Sequence, residues 1–400
     1  MNQDVRKSPR SLAGATILQI VPALRDDPAG HAAVGVAFML LQSGARAMVA
    51  AAEGSLVRDL CAFGGEWLPM INDTINPLRI WQNARRLADL ISVERIDIVH
   101  AQSAGGAWSA LAATKRMPVF LVTSFADRLP AHSWSSTWFR RSLARGDRVI
   151  APSSYVSRAM IECYKLAPER IAVIPRAINT DAYDPASISA DRITALRHAW
   201  GVAPDMRVVL VPGRLAPWNG QLGVIDAARF LAERSNRNIV FIFAGDEHSE
   251  PRYVRALRGQ TRLQAIDSLC RFVGHCSDMP AAFALADVVV VPATKPPLSG
   301  RTVAEAQASG RPVVTTSVGT LPENVLAPPR MRDELRTGWL VPPGNAGEIA
   351  KAVATALALD VTAYGALAAR ARQFAVFAFS AQSVADAIRG VYTSLLTRDG

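Results

Sequence analysis

Short apolar runs alternate with amphipathic windows along almost the whole chain, and the alternation falls into two series. Runs that read as buried strands lie at 16–21, 47–52, 98–101, 119–122, 148–151 and 171–174, with helical windows at 31–43, 77–92, 106–115, 135–144 and 153–163. The second series has strand runs at 208–211, 239–244, 268–273, 288–291 and 312–315. Its helical windows are 221–234, 252–264, 279–285, 302–309 and 347–359. The strand runs are continuous in Val, Ile and Ala instead of alternating with polar residues. That pattern belongs to parallel sheet covered on both faces, and its alternation with helices to doubly wound α/β domains. A polar helix at 191–200, after Asp184-Pro185, separates the series, and 363–396 reads as helical throughout.

These boundaries predict a first domain over 1–185, a second over 186–362 and C-terminal helices over 363–400 that pack back on the first domain. Four hundred residues, half of them apolar and a fifth charged, fit a two-domain globular chain. No apolar run reaches the eighteen or so residues of a membrane-spanning helix, and the polar opening MNQDVRKSPR has no secretory pattern. The expected location is therefore cytoplasmic. A formal charge of +10 suits anionic partners, but no basic run or zinc-finger pattern points to nucleic acid. The four cysteines, at 61, 163, 270 and 276, have no metal-ligand spacing.

In open parallel sheets ligands bind beyond the carboxyl ends of the strands, and two such domains predict a site in the cleft between them. Two segments carry chemistry there. In 209–221, VLVPGRLAPWNGQ, a strand runs into a turn with Gly213 and Arg214, and a helix begins near Asn219-Gly220. An arginine at that place is positioned to neutralise a phosphate. In 296–310, PPLSGRTVAEAQASG, Gly300 precedes a helix whose first amides, at Arg301 and Thr302, face an anion, with Glu305 one turn on. A diphosphate at a helix end with a carboxylate for ribose hydroxyls makes a nucleotide site.

From these segments the sequence resembles the GT-B glycosyltransferases of family 4, the retaining group 1 type. The resemblance runs through ILQIVP (17–22), DIVH (97–100), RVIAPS (148–153), IPR (174–176) and PGRL (212–215). It continues through GHCSDMP (274–280), ADVVV (286–290), EAQA (305–308), GRPVV (310–314) and TGWLVPP (337–343). It implies two Rossmann-like domains with an interdomain cleft, a nucleotide-sugar donor, a cell-envelope glycan or lipid-linked acceptor such as lipopolysaccharide, and no metal or other cofactor. Residue by residue it implies Arg214 on the donor diphosphate, Glu305 on the ribose as the second glutamate of an E-x7-E motif, and a phosphate-facing turn at Gly300, Arg301 and Thr302. Gly319 and Thr320 would lie beside the donor sugar, His275 by the base, and Gly30 in the glycine loop of the first domain.

The sequence departs from the family at the chemistry. Asn219 stands where the diphosphate lysine is expected, Pro297 at the first glutamate, Ser299 at a phenylalanine and Ala126 at a histidine. Lys295, two residues before Pro297, and Asp127, after Ala126, have the wrong charge for the residues they would replace. Two readings follow: an active transferase, or a degenerate binding module for a nucleotide, a glycan or a homologous partner enzyme. Roles stay open elsewhere. His100 faces the cleft or is a satisfied core histidine, and His275 is a base contact or a plain turn residue. The segment 131–148, with Trp134, Trp138, Arg140, Arg141 and Arg145, rests on an anionic membrane or is an ordinary helix.

Overall fold

The computed structural model describes residues 11–115, 117–125, 139–234 and 238–397. The chain divides into two compact units, one of 1–177 with 381–400, the other of 178–380. Among the described residues the first unit has seven parallel strands: β1 (Thr16–Ala23), β2 (Arg46–Ala52), β3 (Glu66–Pro69), β4 (Ile98–Ala101), β5 (Phe120–Ser124), β6 (Arg148–Ala151) and β7 (Ile171–Val173). Their order is β3-β2-β1-β4-β5-β6-β7. Ile17 in β1 pairs with Ala47 on one side and Ile98 on the other, which fixes the register at the centre. The intervening helices are α1 (Pro28–Gln42), α2 (Val57–Ala62), α3 (Pro77–Glu94), α4 (Ala104–Thr114) and α5 (Ser154–Tyr164).

The second unit opens with α6 (Ala190–Ala199) and then repeats the design. Its six strands are β8 (Arg207–Pro212), β9 (Ile239–Ala244), β10 (Cys270–Gly274), β11 (Val288–Val291), β12 (Val313–Thr316) and β13 (Gly338–Val341), ordered β10-β9-β8-β11-β12-β13. The helices are α7 (Gln221–Arg234), α8 (Pro251–Leu263), α9 (Met279–Leu285), α10 (Arg301–Ala308), α11 (Ala346–Leu357) and α12 (Val361–Phe379). The last helix, α13 (Ala381–Leu396), belongs to the first unit. This is the doubly wound α/β fold read from the sequence, built twice.

Polar residues at the strand-to-helix turns start many of the helices. Asp27, Asn76, Ser103, Ser153, Ser189, Asp278, Asn345 and Asp360 each accept a bond from an amide two or three residues on. Each such cap contributes about 1 kcal/mol.

One edge of each sheet escaped the sequence reading, while the other edges, β7 and β10, were read at 171–174 and 268–273. β3 is a four-residue edge strand ending in Pro69, and β13 is the opposite kind of edge, opening on Gly338. Both are only four residues long, and no residue of β3 is buried, so periodicity has little to work on. Gly338 is there for contact: a Cβ would lie 2.5 Å from the Val313 carbonyl oxygen.

The domain limits also differ from the sequence reading. The first passage falls at 177–178 instead of 185, and the helical stretch 363–396 is two helices broken at the extended residue Ser380. Only the second of them returns to the first unit. The apolar stripe of α12 (Leu367, Ala375, Phe379) joins the cores of the second unit, whereas that of α13 (Val384, Ile388, Tyr392, Leu395) joins the core of the first. The larger aliphatic and Phe side chains among them contribute about 1.5–3 kcal/mol each on burial. Arg372 of α12 also donates to the carbonyls of Thr180 and Ala308 and pairs with Asp184, which ties the 178–184 segment to the second unit. Of the helical window 135–144, residues 135–138 lie outside the described residues, and 141–144 form a single 3-10 turn.

His100 is the core histidine of the two readings left open. It is 1 % exposed at the centre of the first sheet, with Nδ1 2.6 Å from the Tyr392 hydroxyl and Nε2 2.6 Å from Ser124 Oγ. Burial lowers its pKa from 6.5 to about 4. The native ring is therefore neutral across a range where the unfolded chain takes up a proton. Stability is full above pH 6.5 and falls as the pH drops toward 4, by about 3 kcal/mol at the limit. The urea midpoint is expected to drop between pH 7.5 and pH 5, and by less in His100→Gln. An equal drop in both proteins would remove His100 as its cause.

Candidate active site

The second sheet has one place where neighbouring strands send their connections apart. β8 lies between β9 and β11, so the loops leaving β8 and β11 diverge and open a crevice at their carboxyl ends. A cavity of about 220 Å³ lies there, lined among others by Gly213, Arg214, Asn219, Pro292, Pro297, Gly300, Thr302 and Leu321.

Its walls depend on two glycines in the β8 loop. Gly213 has φ +123 and Gly220 φ +75, both outside the range of ordinary side chains. A Cβ on Gly220 would also lie 2.0 Å from the Pro292 carbonyl oxygen. Close approach is thus what joins the two walls, and hydrogen bonds complete it. The Trp218 carbonyl accepts from the amides of Thr294 at 2.9 Å and Lys295 at 3.2 Å. The Arg214 carbonyl accepts from Asn219 Nδ2 at 2.8 Å and Gln221 Nε2 at 2.9 Å. The Arg214 side chain is exposed and makes no hydrogen bond or ion pair with any described residue.

The opposite wall is the start of α10. Gly300 is its cap residue, and a Cβ there would strike the Asn324 side chain at 2.3 Å. Asn324 Nδ2 in turn donates to the Thr320 carbonyl at 2.7 Å, and Thr320 Oγ1 to the Pro297 carbonyl at 3.3 Å. Gly319, at φ +59, packs on Pro296 and Pro297, so the 318–321 loop is pinned to the 296–300 loop. The first amides of α10 lack acceptors within the helix and give its N-terminus a partial positive charge.

Glu305 sits one turn along, 7 % exposed. Its Oε1 lies 2.6 Å from Arg301 Nε, and the Tyr183 hydroxyl stands beside the same carboxylate. Burial pushes the Glu305 carboxyl up, against the pull of Arg301 and Tyr183, while burial and Glu305 together push the Tyr183 phenol up. Arg301 is thereby neutralised by its own helix and adds little net charge to the rim.

The structure therefore brings together Gly213, Arg214, Asn219, Gly300 and Thr302 of the residues expected from sequence. Arg301 and Glu305 stand behind them, paired with each other, and Gly319 and Thr320 hold the loop that presents Leu321. His275 is exposed in the turn after β10 and is not among the residues lining the cavity. Gly30 lies in the first unit at the start of α1, where its amide donates to Asp27 Oδ1 at 2.8 Å. Ala126, Asp127, Trp134 and Trp138 lie outside the described residues. Among the described residues, no group of three or more His, Cys, Asp or Glu side chains is placed to hold a metal ion. Sequence reasoning missed Tyr183, a lone aromatic in the linker, and Gln221, whose position at the head of a helix carried no signal.

Comparison with known proteins extends these observations. A family model described as Glycosyl transferases group 1 matches residues 206–358, and one described as Glycosyltransferase Family 4 matches 39–182. A D-inositol 3-phosphate glycosyltransferase of Geodermatophilus obscurus is 31% identical over 261 residues, covering 63% of this chain and 53% of its own. The protein of that name from Mycobacterium bovis is 30% identical over 250 residues, 62% of this chain and 48% of its own. The chain thus spans about half the length of these curated relatives. The crystal structure of a glycosyltransferase from Rickettsia africae superposes with a TM-score of 0.80 at 25% identity, over 96% of this chain and 99% of that one. HepE of Anabaena, solved in complex with UDP, shares the fold at a TM-score of 0.74 and 24% identity, over 95% and 100% of the two chains.

Proposed function

The chain belongs to the group 1 glycosyltransferases of family 4, and on that premise we propose that it moves a sugar from a nucleoside diphosphate sugar to a glycan or lipid-linked acceptor of the cell envelope. The reading includes retention at the anomeric carbon, no metal ion, and work in the cytoplasm or at the inner face of the membrane. Among the described residues no single helix is long and apolar enough to cross a membrane.

One observation carries the proposal: an unpaired arginine and an open helix N-terminus face one cavity at the switch point of the second sheet. When the glycosidic bond to the diphosphate breaks, negative charge builds on the terminal phosphate. Arg214 and the amides beyond Gly300 are already in place to receive it, so the site does not have to reorganise at that moment. Glu305, held rigid by Arg301 and Tyr183, is available for a ribose hydroxyl without losing its partners.

The test is thermal stability with UDP, GDP, ADP and their sugars at millimolar concentration. A ligand present at a hundred times its Kd adds about 2.7 kcal/mol to the native state. One nucleotide class is expected to raise the midpoint by several degrees, and its sugar to serve as donor. No shift with any of them would overturn the donor reading.

A second reading has its own observation. Asn219 and Pro297, both uncharged, line the cavity, and the Asn219 amide is committed to the Arg214 carbonyl. A binding module without turnover fits that arrangement. Sugar transfer or donor hydrolysis only in a protein carrying Asn219→Lys, Pro297→Glu and Ala126→His together would favour it; turnover by the natural chain would exclude it.

A further inference from the structure

The donor reading leaves a charge deficit, because a nucleoside diphosphate sugar carries a negative charge on each phosphate and gains another on departure. The segments framing the cavity, 213–221 and 291–303, contain three cationic side chains: Arg214, Lys295 and Arg301. Arg301 is spent on Glu305. Of the other two, Arg214 lines the cavity itself, and Lys295 stands at its rim, outside the lining.

Lys295 is exposed, and its side chain makes no hydrogen bond or ion pair with any described residue. In sequence it is the neighbour of Pro297, where its charge is wrong. In space its backbone stays in the β11 loop but is hydrogen-bonded across to the β8 loop. The Lys295 amide donates to the Trp218 carbonyl at 3.2 Å, the Thr294 amide to the same oxygen at 2.9 Å, and Thr294 Oγ1 to that oxygen again at 3.2 Å. Residue 295 is thus fastened to the residue immediately before Asn219, and Ala293 and Pro297, two residues to either side of it, both line the cavity. An ammonium on a flexible four-carbon stem, free of partners, has no evident structural duty at such a place.

We propose that Lys295 is the second cation of the diphosphate site, a binding residue that enters from the β11 loop and supplies the charge Asn219 does not. The assignment rests on the donor reading above. Lysine acts on phosphate as a point charge and needs no fixed fork geometry, so it can serve from a neighbouring loop where arginine would be constrained.

The experiment is titration calorimetry with UDP, GDP and ADP and the three monophosphates, on the natural chain, Lys295→Gln, Asn219→Lys and the double variant. Lys295→Gln is expected to weaken the diphosphate that binds by about tenfold to a hundredfold, the worth of one charge-assisted contact. Its monophosphate should bind the variant nearly as well as the natural chain. Adding Asn219→Lys to Lys295→Gln should recover most of the loss, because the cation returns to the same cavity from the other wall. Unchanged diphosphate affinity in Lys295→Gln overturns the assignment and leaves the donor reading standing. So does a parallel loss of mono- and diphosphate binding, or a loss that Asn219→Lys does not recover. Failure of the natural chain to bind any of the six nucleotides overturns the donor reading, and this assignment with it.

Discussion

Sugar transfer is expected to fall by on the order of 10²–10³-fold in Arg214→Gln, the usual cost of removing one preorganised charge donor from a transition state. The fold should be untouched. The guanidinium is exposed with no partner among the described residues. The part of Arg214 that the structure uses is its carbonyl, which holds Asn219 and Gln221 and survives the substitution. The loss should appear mainly in kcat, because the charge on the terminal phosphate is greatest as it departs. A thermal midpoint within a degree or so of the natural chain, together with collapsed turnover, is the signature of this role. Transfer at the natural rate would remove Arg214 from the site, and a lowered midpoint would show that its side chain has a structural duty.

Gly220→Ala is expected to cost about 2–4 kcal/mol of stability and most of the activity, although it adds a single methyl group. Two penalties combine. At φ +75 an alanine is strained by about 1 kcal/mol. Its Cβ would also meet the Pro292 carbonyl oxygen at 2.0 Å, so backbone on one wall of the cavity must move. The bonds from Thr294 and Lys295 to the Trp218 carbonyl would be the first to go, and the two walls would separate. Gly201→Ala provides the control, since φ there is +61 but nothing lies within 4 Å of the added Cβ. Urea midpoints should show a loss near 1 kcal/mol at 201 and a clearly larger one at 220. Equal losses would mean that backbone strain alone accounts for the effect and that the contact with Pro292 is not what shapes the cavity.

The two predictions differ in how visible their residues are in the sequence. Arg214 stands out as a charged side chain just after a buried strand. Gly220 marks a helix start, which reads as local turn chemistry, but its actual duty is a contact with Pro292, seventy-two positions away in the numbering. The same division runs through the site. Gly300 and Thr302 can be placed at a helix N-terminus from the pattern around them. That Glu305 is tied to Tyr183 cannot, because the tie depends on where the 178–184 segment docks, and Arg372 and Asp184 decide that. Lys295 gives the sharpest contrast. By sequence distance it belongs to position 297, whereas the fold bonds its amide to Trp218, the residue before Asn219.

What the residues alone determine in this protein is whatever acts within a strand or a few helical turns. Strand runs, helix windows and the doubly wound class all follow from periodicity and turn chemistry, which are local properties. The strands that escaped, β3 and β13, are four-residue edges, too short for a period to show. Tertiary structure decided which strands lie side by side, and hence that the loops after β8 and β11 share one cavity. It also decided that His100 spends both ring nitrogens on Tyr392 and Ser124, and that α12 and α13 part company at Ser380. The reason is that a helix or strand knows its own apolar face, but which partner covers that face depends on the burial of the whole chain at once.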